Sequence, residues 1–257
     1  MKIASWNVNS LKVRLPQVLD WLSRHRPDAL ALQETKLADD AFPADAFAQA
    51  GWHVLYSGQK TYNGVALVTR DPASELITEL PGIDDPQRRV LGATVGGVRV
   101  LDLYVPNGQA VDSDKYGYKL EWLDALADRV RAELEQHPDL VVLGDFNIAP
   151  ADADVYDPEA LAGQIHCTER ERAALQRLLD LGLADTFRQF EQPAGTYSWW
   201  DYRANAFRRG LGLRIDLILA SRPLAARCVR SIVDSEPRRN ERPSDHAPVV
   251  AEFSPRA

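Results

Sequence analysis

An α/β fold follows from three features of the sequence. Apolar runs of strand length recur along the chain, segments of helical period separate several of them, and many of the runs end in acids or amides. Ile3-Ala4-Ser5-Trp6-Asn7 reads as a first short strand ending in an amide. Leu11, Leu15, Val18, Leu19 and Leu22 then recur at helical spacing. Ala29-Leu30-Ala31-Leu32-Gln33-Glu34 is a second apolar run, ending in an acid and followed by Thr35-Lys36. Trp52–Ser57 and Gly64–Arg70 read as neighbouring strands joined by the polar loop Gly58-Gln59-Lys60-Thr61-Tyr62-Asn63. Val90–Val95 and Val98–Val105 flank Gly96-Gly97, a hairpin signal, and the second run leads through Tyr104 to Pro106-Asn107. Tyr116, Leu120, Leu123, Ala127, Val130 and Leu134 form a long amphipathic helix. Leu175, Leu178 and Leu179 suggest another, closed by Gly182. Leu213–Leu219 embeds Asp216 in a strand-like run, and Ser244-Asp245-His246 precedes a final strand, Ala247–Phe253.

The stretch Val141-Val142-Leu143-Gly144-Asp145-Phe146-Asn147 carries the most chemical information. Its apolar start suits a strand buried on both faces. In extended backbone Asp145 and Asn147 project from the same face, where an acid and an amide can deprotonate a water and hold it against an electrophile. Gly-Asp at a strand end is also ordinary turn chemistry. What favours chemistry is repetition: an isolated acid in an apolar strand is expensive unless paired, and several strands here deliver polar groups, as to one shared site at a sheet edge. Each half opens with an apolar strand bearing Trp6-Asn7 or Asp145-Phe146-Asn147, a hint of internal two-fold symmetry.

The set Trp6-Asn7, Leu32-Gln33-Glu34-Thr35, Gly144-Asp145-Phe146-Asn147-Ile148, Arg214-Ile215-Asp216 and Ser244-Asp245-His246 resembles the exonuclease III family of DNA-repair nucleases, within the endonuclease/exonuclease/phosphatase superfamily. The similarity runs in order from Met1 to about Phe253. It implies a four-layer α/β sandwich like that of deoxyribonuclease I, two mixed sheets face to face with helices outside. The chemistry it implies is metal-assisted phosphodiester hydrolysis, which asks catalysis for ~20 kcal/mol or more. Glu34 is expected to bind Mg²⁺, with Mn²⁺ as the alternative ion, and Asn7 and Asp245 to neighbour it; Asp145 and Asn147 would form any second site. Asp145 is the expected base or water-orienting group, and Asn147 a donor to the water or the phosphoryl oxygens. His246, if paired with Asp216, would be protonated and stabilise negative charge; a neutral His246 would compete as the base. Tyr104 is matched to a functional tyrosine, Asn107 to a phosphate contact and Lys119 to a helix lysine on the DNA side. Trp199, Leu213 and Ile215 correspond to the pocket for a sugar without its base, with one ring of Trp199-Trp200 buried and Trp199 functional.

His166, in the loop Ala162–Thr168, departs from the commonest family pattern, which has a smaller or apolar residue there. Together with the Gly58–Gly64 segment it resembles a bacterial branch weighted toward processing 3′ ends. The expected substrate is therefore double-stranded DNA with blocked or recessed 3′ ends or abasic sites, 3′-end hydrolysis coming before abasic-site incision. An imidazole at the cleft would fill space a smaller residue leaves for the nucleotide; a solvated loop histidine is the other reading. Two further classes compete: a phosphoesterase of the superfamily acting on inositol phosphates or sphingolipids, and a noncatalytic binding protein that has lost the chemistry.

Composition sets limits. The 257 residues suit one large domain or two small ones; with no linker, low-complexity stretch or charge block, a single domain over residues 1–257 is expected. At 45% hydrophobic the chain can bury a substantial core. Two cysteines, Cys167 and Cys228, with no Cys/His cluster argue against zinc and against a disulfide framework. The first residues already belong to a strand, and no run approaches the ~20 apolar residues of a membrane span. A cytoplasmic monomer without membrane contact is expected. The net charge of −7 opposes tight coating of nucleic acid, but the local field governs binding. Basic residues gather near the motifs: Arg88-Arg89, Lys115 with Lys119, Arg203 with Arg208-Arg209, Arg214, and Arg238-Arg239 with Arg242. A divalent metal among Glu34, Asp145 and Asp245 would offset local negative charge.

Overall fold

Ala4, Trp6, Leu30 and Leu32 turn to one face of their strands and Ile3, Ala29 and Ala31 to the other, and both sets are buried. Strands dry on both faces need a layer on each side. The computed structural model, which describes residues 1–256, supplies a helix layer on one side and a second sheet on the other.

The strands are β1 (Lys2–Asn7), β2 (Ala29–Gln33), β3 (His53–Ser57), β4 (Val65–Thr69), β5 (Ser74–Ile77), β6 (Val90–Val95), β7 (Val98–Tyr104), β8 (Leu140–Asp145), β9 (Leu183–Asp185), β10 (Trp199–Trp200), β11 (Gly212–Leu213), β12 (Asp216–Ser221), β13 (Cys228–Val233) and β14 (Val249–Phe253). The helices are α1 (Leu11–His25), α2 (Ala44–Gln49), α3 (Asp114–Gln136), α4 (Pro158–Leu161), α5 (Glu169–Asp180), α6 (Ala206–Arg209) and α7 (Arg222–Ala225). One six-stranded sheet runs β13-β14-β1-β2-β4-β3, the other β5-β6-β7-β8-β12-β9. Their inner faces meet through Val65, Leu67, Leu91, Val100, Val141 and Leu143, among others. Val18, Trp21 and Leu22 of α1 cover the first sheet outside; Trp122, Leu126 and Val130 of α3 and Leu175 and Leu178 of α5 cover the second. This is the expected four-layer sandwich.

Both sheets have the same internal plan. The central pairs β1–β2 and β7–β8 are parallel, joined across α1 and α3, and every other pairing within the sheets is antiparallel. The two-fold expected from the sequence is therefore present in the topology, but β1 corresponds to β7 and β2 to β8. Trp6-Asn7 and Asp145-Phe146-Asn147 are not counterparts.

Two local expectations change. The run Leu213–Leu219 is not one strand: Leu213 pairs with Trp199 in the small β10–β11 sheet, and the large-sheet strand begins only at Asp216. The break falls at Arg214-Ile215, where the Arg214 amide donates to the Asp154 carbonyl instead of to a strand neighbour. Gly144-Asp145 lies within β8 and not in a turn. Gly144 has φ 138°, and a Cβ there would stand 1.9 Å from the Leu103 carbonyl oxygen. Only glycine lets β8 approach β7 so closely.

Candidate active site

Two parallel pairs side by side put four carboxyl ends on one edge of the sandwich. Asn7 ends β1, Glu34 follows β2, Tyr104 ends β7 and Asp145 ends β8. Register then places Tyr104 and Asp216 on either side of Asp145, on β7 and β12. His246 arrives just before β14, bridged to Trp199. Trp6 Nε1 donates to the His246 carbonyl at 3.2 Å, and Ser244 Oγ donates to the Asn7 carbonyl at 2.7 Å, so the first strand fixes the segment that carries the histidine.

Asn7 Nδ2 donates to Glu34 Oε1 at 3.0 Å and to Asp145 Oδ2 at 2.9 Å, bridging two carboxylates that would otherwise repel. His246 stands between Asp216 and Asp145, with Nδ1 2.9 Å from Asp216 Oδ2 and Nε2 3.7 Å from Asp145 Oδ2. Burial opposes a charge on His246, but Asp216 and Asp145 outweigh it and push its pKa up to about 10. Asp216 itself is braced by Ser198, whose Oγ donates to Oδ2 at 2.6 Å and accepts the amides of Ile215 and Asp216. Burial pushes Asp145 up to about 7; His246 opposes the shift and Asp216 and Glu34 add to it. The Tyr104 phenol is raised by burial and then by Glu34 and Asp145, which keeps it a neutral O–H donor.

Glu34, Asp145 and His246 each bring a ligand atom within 4.8 Å of the others. Two hard carboxylate oxygens, with Asp145 pushed toward protonation first by burial, suit a divalent cation, which would offset the charge that burial opposes. Asp245 is occupied differently. Its oxygens accept from Asn9 Nδ2 at 2.9 Å and Trp199 Nε1 at 3.0 Å. Burial opposes its charge, but His246, Trp199 and Asn9 hold its pKa below the usual range. Lys36 pairs with Glu34 at 2.9 Å and donates to Asn9 Oδ1, linking the Glu34 and Asp245 sides.

Asn147 does not share an extended face with Asp145, because the strand ends at Asp145 and Asn147 turns to φ 50°. Its amide donates to Asp145 Oδ1 at 2.9 Å, so the turn chemistry and the acid coexist. Its side chain donates to the Val105 carbonyl and accepts from Asn107 Nδ2 at 3.1 Å. Asn107 is exposed at the mouth of the site.

Lys119 does not face DNA. It is fully buried, with Nζ on the Asn147 carbonyl at 2.7 Å, the Asn107 carbonyl at 3.2 Å and the Glu171 carboxylate. Arg214 is likewise buried, between Asp154 and Asp185. Arg238 packs on Trp200, Tyr202 and Phe207. Of the basic groups read from the sequence, Lys115, Arg203, Arg208, Arg209, Arg239 and Arg242 remain exposed.

His166 is buried rather than solvated. Its Nδ1 lies 2.6 Å from the Asn147 carbonyl, Nε2 3.5 Å from Asn107 Nδ2, and its ring 6.5 Å from that of Trp199. Burial and the Lys119 cation push its pKa down to about 4. The ring is therefore neutral, with Nδ1–H donating to that carbonyl. Beside it Leu213 and Ile215 form an apolar cluster with Ala149, Val155 and Cys167, and half-buried Trp199 packs against it. Trp200 is the buried ring of the pair, edge-on to Phe207.

Sequence reading missed Asn9, Lys36, Ser198 and Glu171. A backbone signal exists only in three dimensions: Asn9, Glu34, Lys36, Asn147 and His166 all have φ between 42° and 73°. Non-glycine residues held there concentrate at functional sites.

The profile of the endonuclease/exonuclease/phosphatase family matches residues 4–246. An exodeoxyribonuclease III of Haemophilus influenzae is 36% identical over 98% of this chain and 100% of that protein. The structure of a Neisseria 3′ phosphatase bound to product DNA hairpin superposes with a TM-score of 0.97 at 56% identity, covering 99% of each chain. An AP endonuclease of Archaeoglobus fulgidus gives a TM-score of 0.95 at 40% identity, covering 98% of this chain and 99% of that one.

Proposed function

The chain belongs to the endonuclease/exonuclease/phosphatase family, and from that premise we propose how its residues act and on which ends. It is a hydrolytic DNA-repair phosphodiesterase of the exonuclease III type. We propose that it favours 3′-phosphates and 3′-terminal nucleotides of duplex DNA, with abasic-site incision secondary. The observation that carries the chemistry is the His246 ring clamped between two carboxylates, next to an Asn7-bridged Glu34–Asp145 pair.

His246, pushed up to about 10, is a donor at neutral pH, which leaves Asp145 to accept a proton from the attacking water. Without an ion, burial pushes Asp145 up to about 7; a cation beside it would lower that value and keep Asp145 an ionised acceptor at neutral pH. The His246 imidazolium places its charge where negative charge grows on the phosphoryl oxygens. Tyr104 O–H and the Asn107 and Asn147 amides offer further donors around the phosphate. Glu34 and Asp145 are the residues to hold Mg²⁺, or Mn²⁺ in its place, which supplies charge neutralisation at the phosphoryl oxygens when bound. The apolar cluster of Leu213 and Ile215, with half-buried Trp199 against it, is the surface that receives the sugar. His166 narrows its approach, and a 3′ terminus needs less room there than continuous duplex. The working form we propose is one catalytic domain, monomeric and cytoplasmic; no helix among the described residues is long and apolar enough to cross a membrane.

The test compares duplexes bearing a 3′-phosphate, a plain recessed 3′ end or an internal abasic site, each with and without Mg²⁺. Fastest turnover of the 3′-phosphate, abolished by chelation, is expected. Faster incision at the abasic site would overturn the substrate ranking. Hydrolysis of inositol phosphates or sphingolipids with all three duplexes left intact would overturn the DNA reading.

A further inference from the structure

Lys119 occupies a position on α3 whose inward neighbours are Trp122, Leu123, Leu126 and Val130, yet it is fully buried as a cation. Burying an ammonium costs several kcal/mol, and an apolar residue in such a place is often as stable or more so. Its three protons are all used. One meets Glu171, and the other two meet carbonyls in two separate loops, Asn107 after β7 and Asn147 after β8.

Glu171 extends the network to a third loop. Its carboxylate accepts the backbone amides of His166 and Thr168, each at 3.1 Å, and the Thr168 hydroxyl at 2.8 Å. The Asn147 carbonyl accepts both Lys119 Nζ and His166 Nδ1. One buried ion pair thus ties together the backbones that carry Asn107, Asn147 and His166. Two of these, Asn147 and His166, sit at φ 50° and 73°, conformations that need surrounding contacts to hold them.

We infer that Lys119 is a positioning residue that never touches DNA: through the Asn107 and Asn147 carbonyls it sets the two side-chain amides at the distance the phosphate requires. This rests on the reading of those amides as phosphate donors. Misplacing such groups by about 1 Å can cost about 100-fold in rate.

Lys119→Met alone would strand the Glu171 charge, so the test pairs it with Glu171→Gln, which removes that charge and retains an acceptor for one of the two loop amides. On a 3′-phosphate duplex at saturating Mg²⁺, the double variant should lose about 100-fold in kcat with KM changed less than about threefold. In an Asn107→Ala/Asn147→Ala background the same two substitutions should cost less than about threefold, because both groups they align are gone. Equal losses in both backgrounds, or none in either, would overturn the inference, whatever the effect on thermal stability. If the wild-type chain left the duplex intact, the nuclease reading would fail by itself. The side-chain NH₂ resonances of Asn107 and Asn147 would then decide: a shift in the double variant supports positioning, and unmoved resonances refute it.

Discussion

Asp216→Asn removes one charge and no volume, which makes it the sharpest probe of the His246 clamp. The carboxylate lies 2.9 Å from His246 Nδ1, with both groups buried. An opposite charge at that range shifts a pKa by about 1–3 units, at ~1.4 kcal/mol per unit, so the imidazolium should lose about 1.4–4 kcal/mol. Geometry adds to the effect. Ser198 Oγ is already an acceptor of two amides and must donate to residue 216, which holds the Asn oxygen on its side. The Asn Nδ2 then takes the other carboxylate position, 3.1 Å from His246 Nδ1, and forces that nitrogen to become an acceptor. The alkaline limb of the pH–rate profile, near 10 in the wild type, should move down by about 1–3 units, with kcat at neutral pH reduced about 10²–10³-fold. Stability carries the same signature. A raised histidine pKa stabilises the fold fully below its ordinary 6.5 and loses that contribution as pH rises through about 10. The stability gap between wild type and variant should therefore be wide near pH 6.5 and close toward pH 10. Rate profiles on the 3′-phosphate duplex, an NMR titration of His246 and denaturation at several pH values supply the measurements. An unmoved alkaline limb with kcat within about threefold of wild type would refute the reasoning and make the pair structural.

Glu34→Gln keeps the Asn7 contact but removes charge; turnover should fall about 10²–10³-fold and require more Mg²⁺, with DNA binding by anisotropy largely retained. Near wild-type turnover at limiting Mg²⁺ would exclude Glu34 as a ligand. His166→Gly removes the ring between Asn107 and Trp199 at a position already at φ 73°, so abasic incision should rise relative to 3′-end processing. Equal change in both activities would remove the gating role. Asp102 is fully buried, accepts from Gln33 Nε2 at 2.7 Å through Oδ1, and leaves Oδ2 without a partner. Burial raises its pKa well above the ordinary 3.8, so the wild-type fold loses stability as pH climbs from about 4. Asp102→Asn should therefore gain in melting temperature relative to wild type as pH rises, and a pH-independent difference would show that the acid is not held neutral.

Period and run length marked the elements of this protein, and the four layers came from the family resemblance: the helical spacing of Leu11 to Leu22 and of Tyr116 to Leu134, and the apolar runs around Leu30 and Val142, read correctly because hydrophobic burial acts on every residue of an element at once. Residue type at strand ends likewise marked Asn7, Glu34 and Asp145, and an acid inside the Leu213–Leu219 run marked Asp216, since acids and amides in or next to dry strands have few stable uses other than a shared polar site; His246 was marked by its place in Ser244-Asp245-His246. What contacts each of these groups was decided by tertiary structure. Lys119 and Arg214 look like solvated cations in one dimension; only packing reveals that Glu171, Asp154 and Asp185 wait inside for them. Asn9, Lys36 and Ser198 act through partners as many as 236 residues away, as Asn9 does on Asp245. The turn of Asn147 away from its strand depends on carbonyls and donors from other loops. Hydrophobic period is a local property of the chain, whereas a hydrogen bond between distant loops exists only once the sheets have brought them together.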